Sequence, residues 1–342
     1  MSTPTGGAAG GGAAGDGAAG GDVACAAVPV VAVVTRSGLI ESRHHGHVVG
    51  LSGDGALALD IGETHGAVFG RSSNKPLQAL AMVEAGLDLP SELLALVIAS
   101  HSGQPMHLDR VRAILARYGL REAQLDNTAD LPLDVDAARH IIAAGGSPSP
   151  LLQNCSGKHA GMLATCVVNG WPTDGYLDPS HPLQVAIGAA VARVAGEPVA
   201  LVGVDGCGAP VHALSLLGLA RAFRAIALGT PGSAEHAVAT AIRRHPDLVG
   251  GRGRDVTRFV QAMPTLIAKD GAEGVYAAAT DDGRAVALKI DDGAWRARPA
   301  VLVQAFDALG IEMSDEFRAV ADVAILGHGK PVGDVRAVPF AP

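Results

Sequence analysis

The sequence predicts an α+β fold, in which strands near both ends of the chain form one mostly antiparallel sheet and helices are inserted between them. Three observations point to it. Short β-branched or alternating segments cluster in residues 29–60 and again in residues 275–326. The stretch between them reads largely as helix. The resulting order of strands, helices and strands lacks the strict alternation of a doubly wound parallel sheet.

Residues 29–34 are a β-branched run and read as a first strand. Residues 47–51 and 56–60 flank Ser52-Gly53-Asp54-Gly55 and read as a hairpin. Pro76 lacks an N–H and suits a first helical turn, so a helix is expected from about Lys75 to a glycine stop at Gly86. Residues 93–99 are a short apolar run, read as a strand ending on Ser100-His101-Ser102-Gly103. Helices are expected over residues 107–118, over 135–144 with Asp134 capping the start, over 154–168, and over 182–195. Residues 199–204 read as a strand, and residues 211–227 and 234–244 as helices. A short helix after Arg254 leads to residues 265–269. Residues 275–280 and 284–291 then pair around Asp281-Asp282-Gly283, residues 299–309 form a helix, and residues 323–326 a last strand.

The composition narrows the functional classes. Of 342 residues, 48% are apolar and 18% charged, as in a core-rich enzyme. Residues 1–22 are almost wholly Gly and Ala, without the basic and apolar regions of a signal peptide, and are expected to be a disordered tail outside the folded domain of residues 23–342. No apolar run approaches the ~18 residues that would span a bilayer, so no membrane association is expected. The net charge of −8 and the lack of a dense basic cluster argue against nucleic acid as a partner. The four cysteines are Cys25, Cys155, Cys166 and Cys207. With no export signal the expected compartment is the reducing cytoplasm, where free thiols or a metal site are favoured over disulfides.

The sharpest chemical signal is Ser72-x-x-Lys75. Residues three apart share a helix face, so the lysine amine is placed to reach the serine hydroxyl. A serine hydroxyl needs an adjacent base to become a nucleophile, and a buried lysine can supply one. The same four residues also describe a capping serine followed by a solvated lysine. Lys269-Asp270-Gly271 is a partial echo of the Lys-Thr-Gly motif that accompanies Ser-x-x-Lys in penicillin-binding proteins, and is equally a lysine before a surface turn. Ser100, with His101 beside it, reads as a site or as a polar turn. Cys155 and Cys207 lie in glycine-containing loops and are either ligands of a soft metal such as zinc or ordinary buried thiols. Ser156-Gly157-Lys158 lacks the upstream glycine of a phosphate loop. His44, His45 and His47 are read as largely structural, because strand alternation turns His44 away from the other two.

Taken in order, Arg71-Ser-x-x-Lys75-Pro76, Ala99-Ser-His-Ser-Gly103, Asn154-Cys-Ser-Gly-Lys-His159, Asp205-Gly-Cys207, the Gly-x-Gly-Arg run ending at Arg254, and Lys269 resemble the rhizobial-type (class 3) L-asparaginases, the asparaginase II family. The resemblance spans residues 28–329. It implies a fold like that of serine β-lactamases and glutaminases, a homodimer, and two serine–lysine pairs, Ser72–Lys75 and Ser100–Lys269. It implies a zinc ion held by Cys155, Lys158 and Cys207, and places Arg71, His159 and Asp205 around the substrate. Gly208-Ala209 departs from the family's bulkier polar residues after the cysteine, which leaves the preference between asparagine and glutamine open.

The mechanism implied is acyl transfer. Lys75 takes the proton from Ser72, Ser72 attacks the carboxamide of L-asparagine, ammonia leaves, and water hydrolyses the acyl-enzyme. Lys269 is the second cation and Ser100 a relay between the pairs, while backbone N–H groups at the helix start suit the developing oxyanion. The alternatives are a glutaminase or penicillin-binding-like acyl-serine hydrolase and, in another class, a non-catalytic zinc-binding regulatory protein.

Overall fold

The computed structural model describes residues 27–340. The tail expected over residues 1–22, and Cys25, lie outside them.

The main sheet joins the two ends of the chain. Strands β1 (Val30–Arg36), β2 (Leu39–Leu51) and β3 (Leu57–Ile61) come from the first, and β4 (Ala67–Phe69) follows. Strands β5 (Leu201–Val204) and β6 (Pro210–Ser215) come from the middle of the chain. β7 (Ile267–Asp270), β8 (Val275–Ala279), β9 (Ala285–Ile290), β10 (Val323–Gly327) and β11 (Lys330–Ala337) close it. The strand order β10-β11-β1-β2-β9-β8-β7, with β3 also on β2, makes an eight-stranded sheet whose pairings are all antiparallel. The expected α+β architecture is present. β2 is long enough to pair β1 over its first half and β3 and β9 over its second, with two register shifts against β1. A three-stranded sheet, β4-β6-β5, stands apart.

The helices that matter for the site are α1 (Lys75–Glu84), α2 (Ser91–Ile98), α3 (Pro105–Arg117), α4 (Val135–Ala143) and α5 (Ser156–Asn169). Helix Leu216–Ala227 covers β2, β8 and β9, and helix Arg298–Ala308 covers β9 and β11. No helix among the described residues is long and apolar enough to cross a membrane.

Strands β4 and β11 have no counterpart in the sequence reading, β11 following the expected last strand, and two further segments differ in kind from that reading. The apolar run before Ser100 is helix α2, not a strand. All of Leu93–Ile98 are buried, so the run carries no periodicity to separate a helix from a strand. Residues 211–227 divide into strand β6 and a helix whose first turn is capped by Ser215, which accepts from Gly218 N at 2.8 Å. Pairing with neighbouring β5 and with β4, remote in sequence, decides the strand. Asp134 caps α4 as expected, accepting from Ala137 N at 2.8 Å.

Candidate active site

The Ser72 segment is a tight turn held from two sides. Arg71–Asn74 form a 3-10 turn that runs directly into α1, with Pro76 in the first helical turn. Arg71 adopts a left-handed backbone, φ +50°, uncommon for a residue with a Cβ. Asn74 donates to His212 O on β6 (2.7 Å) and Ser73 to Lys269 O on β7 (3.0 Å). Gly271, just past β7, is needed here, because a Cβ on it would stand 2.7 Å from Gly70 O. Ser72 faces a cavity of about 820 Å³, whose walls also carry Ser100, Asn154, Arg254, Asp270 and Arg298. Among the described residues, no protein group hydrogen-bonds the Ser72 hydroxyl.

Lys75 is buried, and its amine lies within hydrogen-bond reach of three groups at the end of α2 and the start of α5. Nζ donates to Ala99 O (2.6 Å), to Ser100 Oγ (3.0 Å) and to Cys155 Sγ (3.1 Å). The hydrogen bonds depart from the pairing read from the sequence: Lys75 bonds Ser100 and not Ser72. A buried amine goes where acceptors converge, and helix spacing alone does not show where that is.

Lys269, expected beside Ser100, turns instead to its neighbour. Its Nζ donates to Asp270 Oδ1 (2.6 Å) and to Asp270 O (2.7 Å). Burial pushes the Lys269 amine down to about 8; Asp270 opposes, and the charges of Lys75 and Arg254 add to the fall. Asp270 also receives Arg254 Nη2 at 2.5 Å, while Arg298 Nη1 stands 3.9 Å away and bonds Gly271 O. Burial alone would raise the Asp270 carboxyl, but Arg254, Lys269 and Arg298 hold it well below the usual carboxylate range. Arg254 Nη1 also donates to Ser100 O at 2.6 Å, linking this ionic cluster to the serine.

The other side of Lys75 is rich in sulfur. α5 lies close against α2, since a Cβ on Gly157 would fall 2.2 Å from Leu96 O and one on Gly161 2.7 Å from the Val97 side chain. That approach brings Cys155 to Lys75. Lys158 donates to Cys207 Sγ at 3.2 Å. Cys207 sits in the turn after β5, closed by Gly208 N to Asp205 O at 2.8 Å. Contact with Cys207 holds the Cys155 thiol well below its usual value, and the same contact raises Cys207. Burial works against the charge of Lys158, but Cys207, Cys155 and Asp205 outweigh it and the amine is raised.

The three residues expected around the substrate belong to this side. Arg71 donates to Asp205 Oδ1 at 2.8 Å. His159 Nδ1 lies 2.8 Å from the Tyr176 hydroxyl, its Nε2 is buried without a partner, and burial pushes the ring down to about 4. None of Arg71, His159 and Asp205 is on the wall of the large cavity. Among the described residues, no three His, Cys, Asp or Glu side chains gather as a metal site. Two thiols, Cys155 and Cys207, lie on this side with the amine of Lys158; the thiols are soft donors that suit zinc, whereas the Lys158 amine, raised here, would have to lose its proton to join them.

The profile of the L-asparaginase II family matches residues 32–337. The chain belongs to the L-asparaginase II family. As a member it is a hydrolase acting on amides. No curated protein matches it in sequence. Among solved structures it is similar to a beta-lactamase from Mycobacterium bovis, at 15% identity and TM-score 0.44 over 81% of this chain and 92% of that one. It is also similar to a Bacteroides dorei DSM 17855 protein provisionally named a beta-lactamase (14%, TM-score 0.42, 72% and 84%) and to EstCE1, a hydrolase with promiscuous acyltransferase activity (13%, TM-score 0.38, 82% and 93%). Likenesses this distant decide nothing about the site.

Sequence reasoning gave no role to Asp270, Arg254 or Arg298. A carboxylate next to Lys269 in a strand with every residue buried is itself a signal, since a buried charge requires a partner. Arg298 carried none, because only its helix, far along the chain, brings it to the cavity.

Proposed function

We propose that this family member is a cytoplasmic, homodimeric L-asparaginase that hydrolyses the side-chain amide of L-asparagine through an acyl-serine intermediate. The observation that carries the proposal is Lys75, fully buried, with its Nζ 3.0 Å from Ser100 Oγ in a wall that Ser72 shares. Ser72 Oγ attacks the carboxamide carbon. Its proton passes to Lys75 by way of Ser100, and Lys75 returns it to the nitrogen, which leaves as ammonia. Water then adds to the aspartyl ester, releasing aspartate and restoring the serine. Lys269, fixed by Asp270, contributes positive charge and not a base. Arg254, Arg298, Asp255 and Asp270 put both signs of charge on the same cavity, which suits the zwitterionic head of an amino acid. On the thiol side, Cys155, Lys158 and Cys207 would hold a zinc ion, which when bound supplies a fixed positive charge next to the lysine. The orphaned Nε2 of His159 and the Arg71–Asp205 pair shape the region behind Lys75.

Ser72→Ala is expected to lower ammonia release from asparagine by roughly 10⁴-fold or more with the fold retained; turnover at the wild-type rate would refute Ser72 as the nucleophile, and no ammonia release from the wild type itself would leave a non-catalytic zinc protein as the better reading. A second assignment, Ser100 as nucleophile, is favoured by the direct Lys75 contact. Acid-quenched acyl-enzyme separates the two, because the acyl group maps by mass to a peptide carrying either Ser72 or Ser100. Elemental analysis of the Cys155→Ser/Cys207→Ser variant should show loss of about one zinc per chain, and unchanged content would remove the metal. Sedimentation of the purified chain decides the homodimer.

A further inference from the structure

The cavity is larger than asparagine needs, and large exposed apolar side chains line part of it. At about 820 Å³ it lies in the ~300–1,000 Å³ range of pockets that hold drug-sized ligands. The serines share its wall with charged groups, Asp134 and Asp136 among them. Leu133, Val135 and Trp295 also line it, at 48%, 61% and 66% exposure. These are large apolar side chains left in water on the wall of a catalytic pocket, the kind of surface that marks a binding groove.

This rim is built. Leu133 and Val135 flank Asp134, which caps α4, receives Gln104 Nε2 at 3.0 Å, and donates its backbone N–H to Ser102 O at 2.8 Å. Pro132 packs against Gly103 so closely that a Cβ there would lie 2.6 Å from it. The rim is therefore anchored to residues 102–104, the continuation of the segment that carries Ser100. None of the residues of α4 is fully buried, and among the described residues nothing covers Val135.

The substrate's chemistry says which part can reach the rim. Between the reacting carbonyl and the α-ammonium and α-carboxylate, an asparagine has a fixed and short length. The substituent on the amide nitrogen is free of that constraint, and in asparagine it is only hydrogen. We propose that the site also hydrolyses secondary amides of L-aspartate whose side-chain nitrogen carries a flat apolar group, as in an N-aryl asparagine, with that group seated on Leu133, Val135 and Trp295. This inference rests on the asparaginase reading of the same site. The amide C–N bond breaks, the serine ester forms, and the arylamine leaves with the serine's proton in place of ammonia. Water then hydrolyses the ester to aspartate, and no redox partner is involved.

The test uses the full chain with two substrates, L-asparagine followed by ammonia release and L-aspartic acid β-(4-nitroanilide) followed by 4-nitroaniline absorbance. The anilide is expected to turn over. Trp295→Ala and Leu133→Ser should each lower its kcat/KM by about tenfold or more, the usual worth of an apolar subsite, and leave asparagine within twofold. An enzyme that hydrolyses asparagine but not the anilide overturns the inference and leaves the asparaginase reading standing. Rim variants that slow both substrates equally also overturn it, and assign the rim to α4 closure or to a subunit contact. Turnover of the anilide without asparagine keeps the rim subsite and removes asparagine as the substrate; failure of both removes both.

Discussion

Lys75 divides the site into two neighbourhoods that hold buried lysines by different means. On the cavity side Lys269 leans on the carboxylate of Asp270, while on the other side Lys158 leans on Cys207 with Cys155 and Asp205 near. The two amines move in opposite directions: Lys269 falls to about 8 and Lys158 rises. Both are buried, so desolvation does not separate them. The difference is in the sharing of counter-charge. Asp270 serves Lys269, Arg254 and Arg298 together, whereas Lys158 faces two sulfurs and a carboxylate. A carboxylate so crowded by cations stays ionised across the ordinary pH range and makes a fixed frame. A thiol pair pushed in opposite directions by its mutual contact is poised for a negotiable charge and suits a soft metal.

The largest effect expected from breaking the comparison is on the fixed side. Asp270→Asn takes the shared carboxylate from buried Lys269 and Arg298 and half-buried Arg254 and should cost about 3–5 kcal/mol in chemical denaturation. A loss under about 1 kcal/mol would mean that the cations relax to water and that Asp270 is not the frame.

The pH dependence of Lys269 sharpens the same point. Its folded value, about 8, lies below the ordinary 10.5, so the unfolded chain holds the extra proton between those values. Stability therefore rises with pH across that window, and the penalty is fully present only below it. Relative to Lys269→Met, the wild type should gain up to about 3 kcal/mol between pH 8 and 10.5. Parallel curves for the two proteins would show that Lys269 is not the shifted group.

Two glycines compare the packing on each side. Gly157→Ala pushes α5 off α2, against Leu96 O at 2.2 Å, and Gly271→Ala pushes the end of β7 off the Ser72 turn, against Gly70 O at 2.7 Å. Each should cost about 1–3 kcal/mol, with the shorter approach the more costly. The reverse order would mean that the thiol side is the more yielding. The smallest effect belongs to Glu273, 67% exposed and 4.0 Å from Arg71 Nη1. Glu273→Gln should change stability by less than about 0.5 kcal/mol. A larger change would make this surface contact part of the site.

Much of the frame was legible along the chain. The hairpin of β8 and β9 around Asp281-Asp282-Gly283, helix Pro182–Ala195 and the Asp134 cap were read from turn residues and caps, which act over a few positions. The runs at α2 and β6 were misread because they are buried on every side, so no face pattern distinguishes one geometry from the other. Of the site, Ser72, Ser100, Lys75 and Lys269 were found through short motifs, and the structure gathers them. Their partners were not found correctly. Asp270 next to Lys269, and Arg254 and Arg298 around it, are joined by strand pairing and helix placement across the chain.

By itself, the sequence determined the antiparallel α+β frame, the position of Ser72 in a tight turn entering α1, and which residues bring hydroxyls, amines and thiols. These follow from local rules of turn chemistry, capping and motif spacing, each read over a few residues. Which amine meets which hydroxyl was decided only by the tertiary structure. A buried ammonium settles where its three donors find acceptors, and for Lys75 those are Ala99, Ser100 and Cys155, supplied by two helices whose approach is set by Gly157 and Gly161. That choice depends on contacts between distant segments, and no spacing along one segment encodes it.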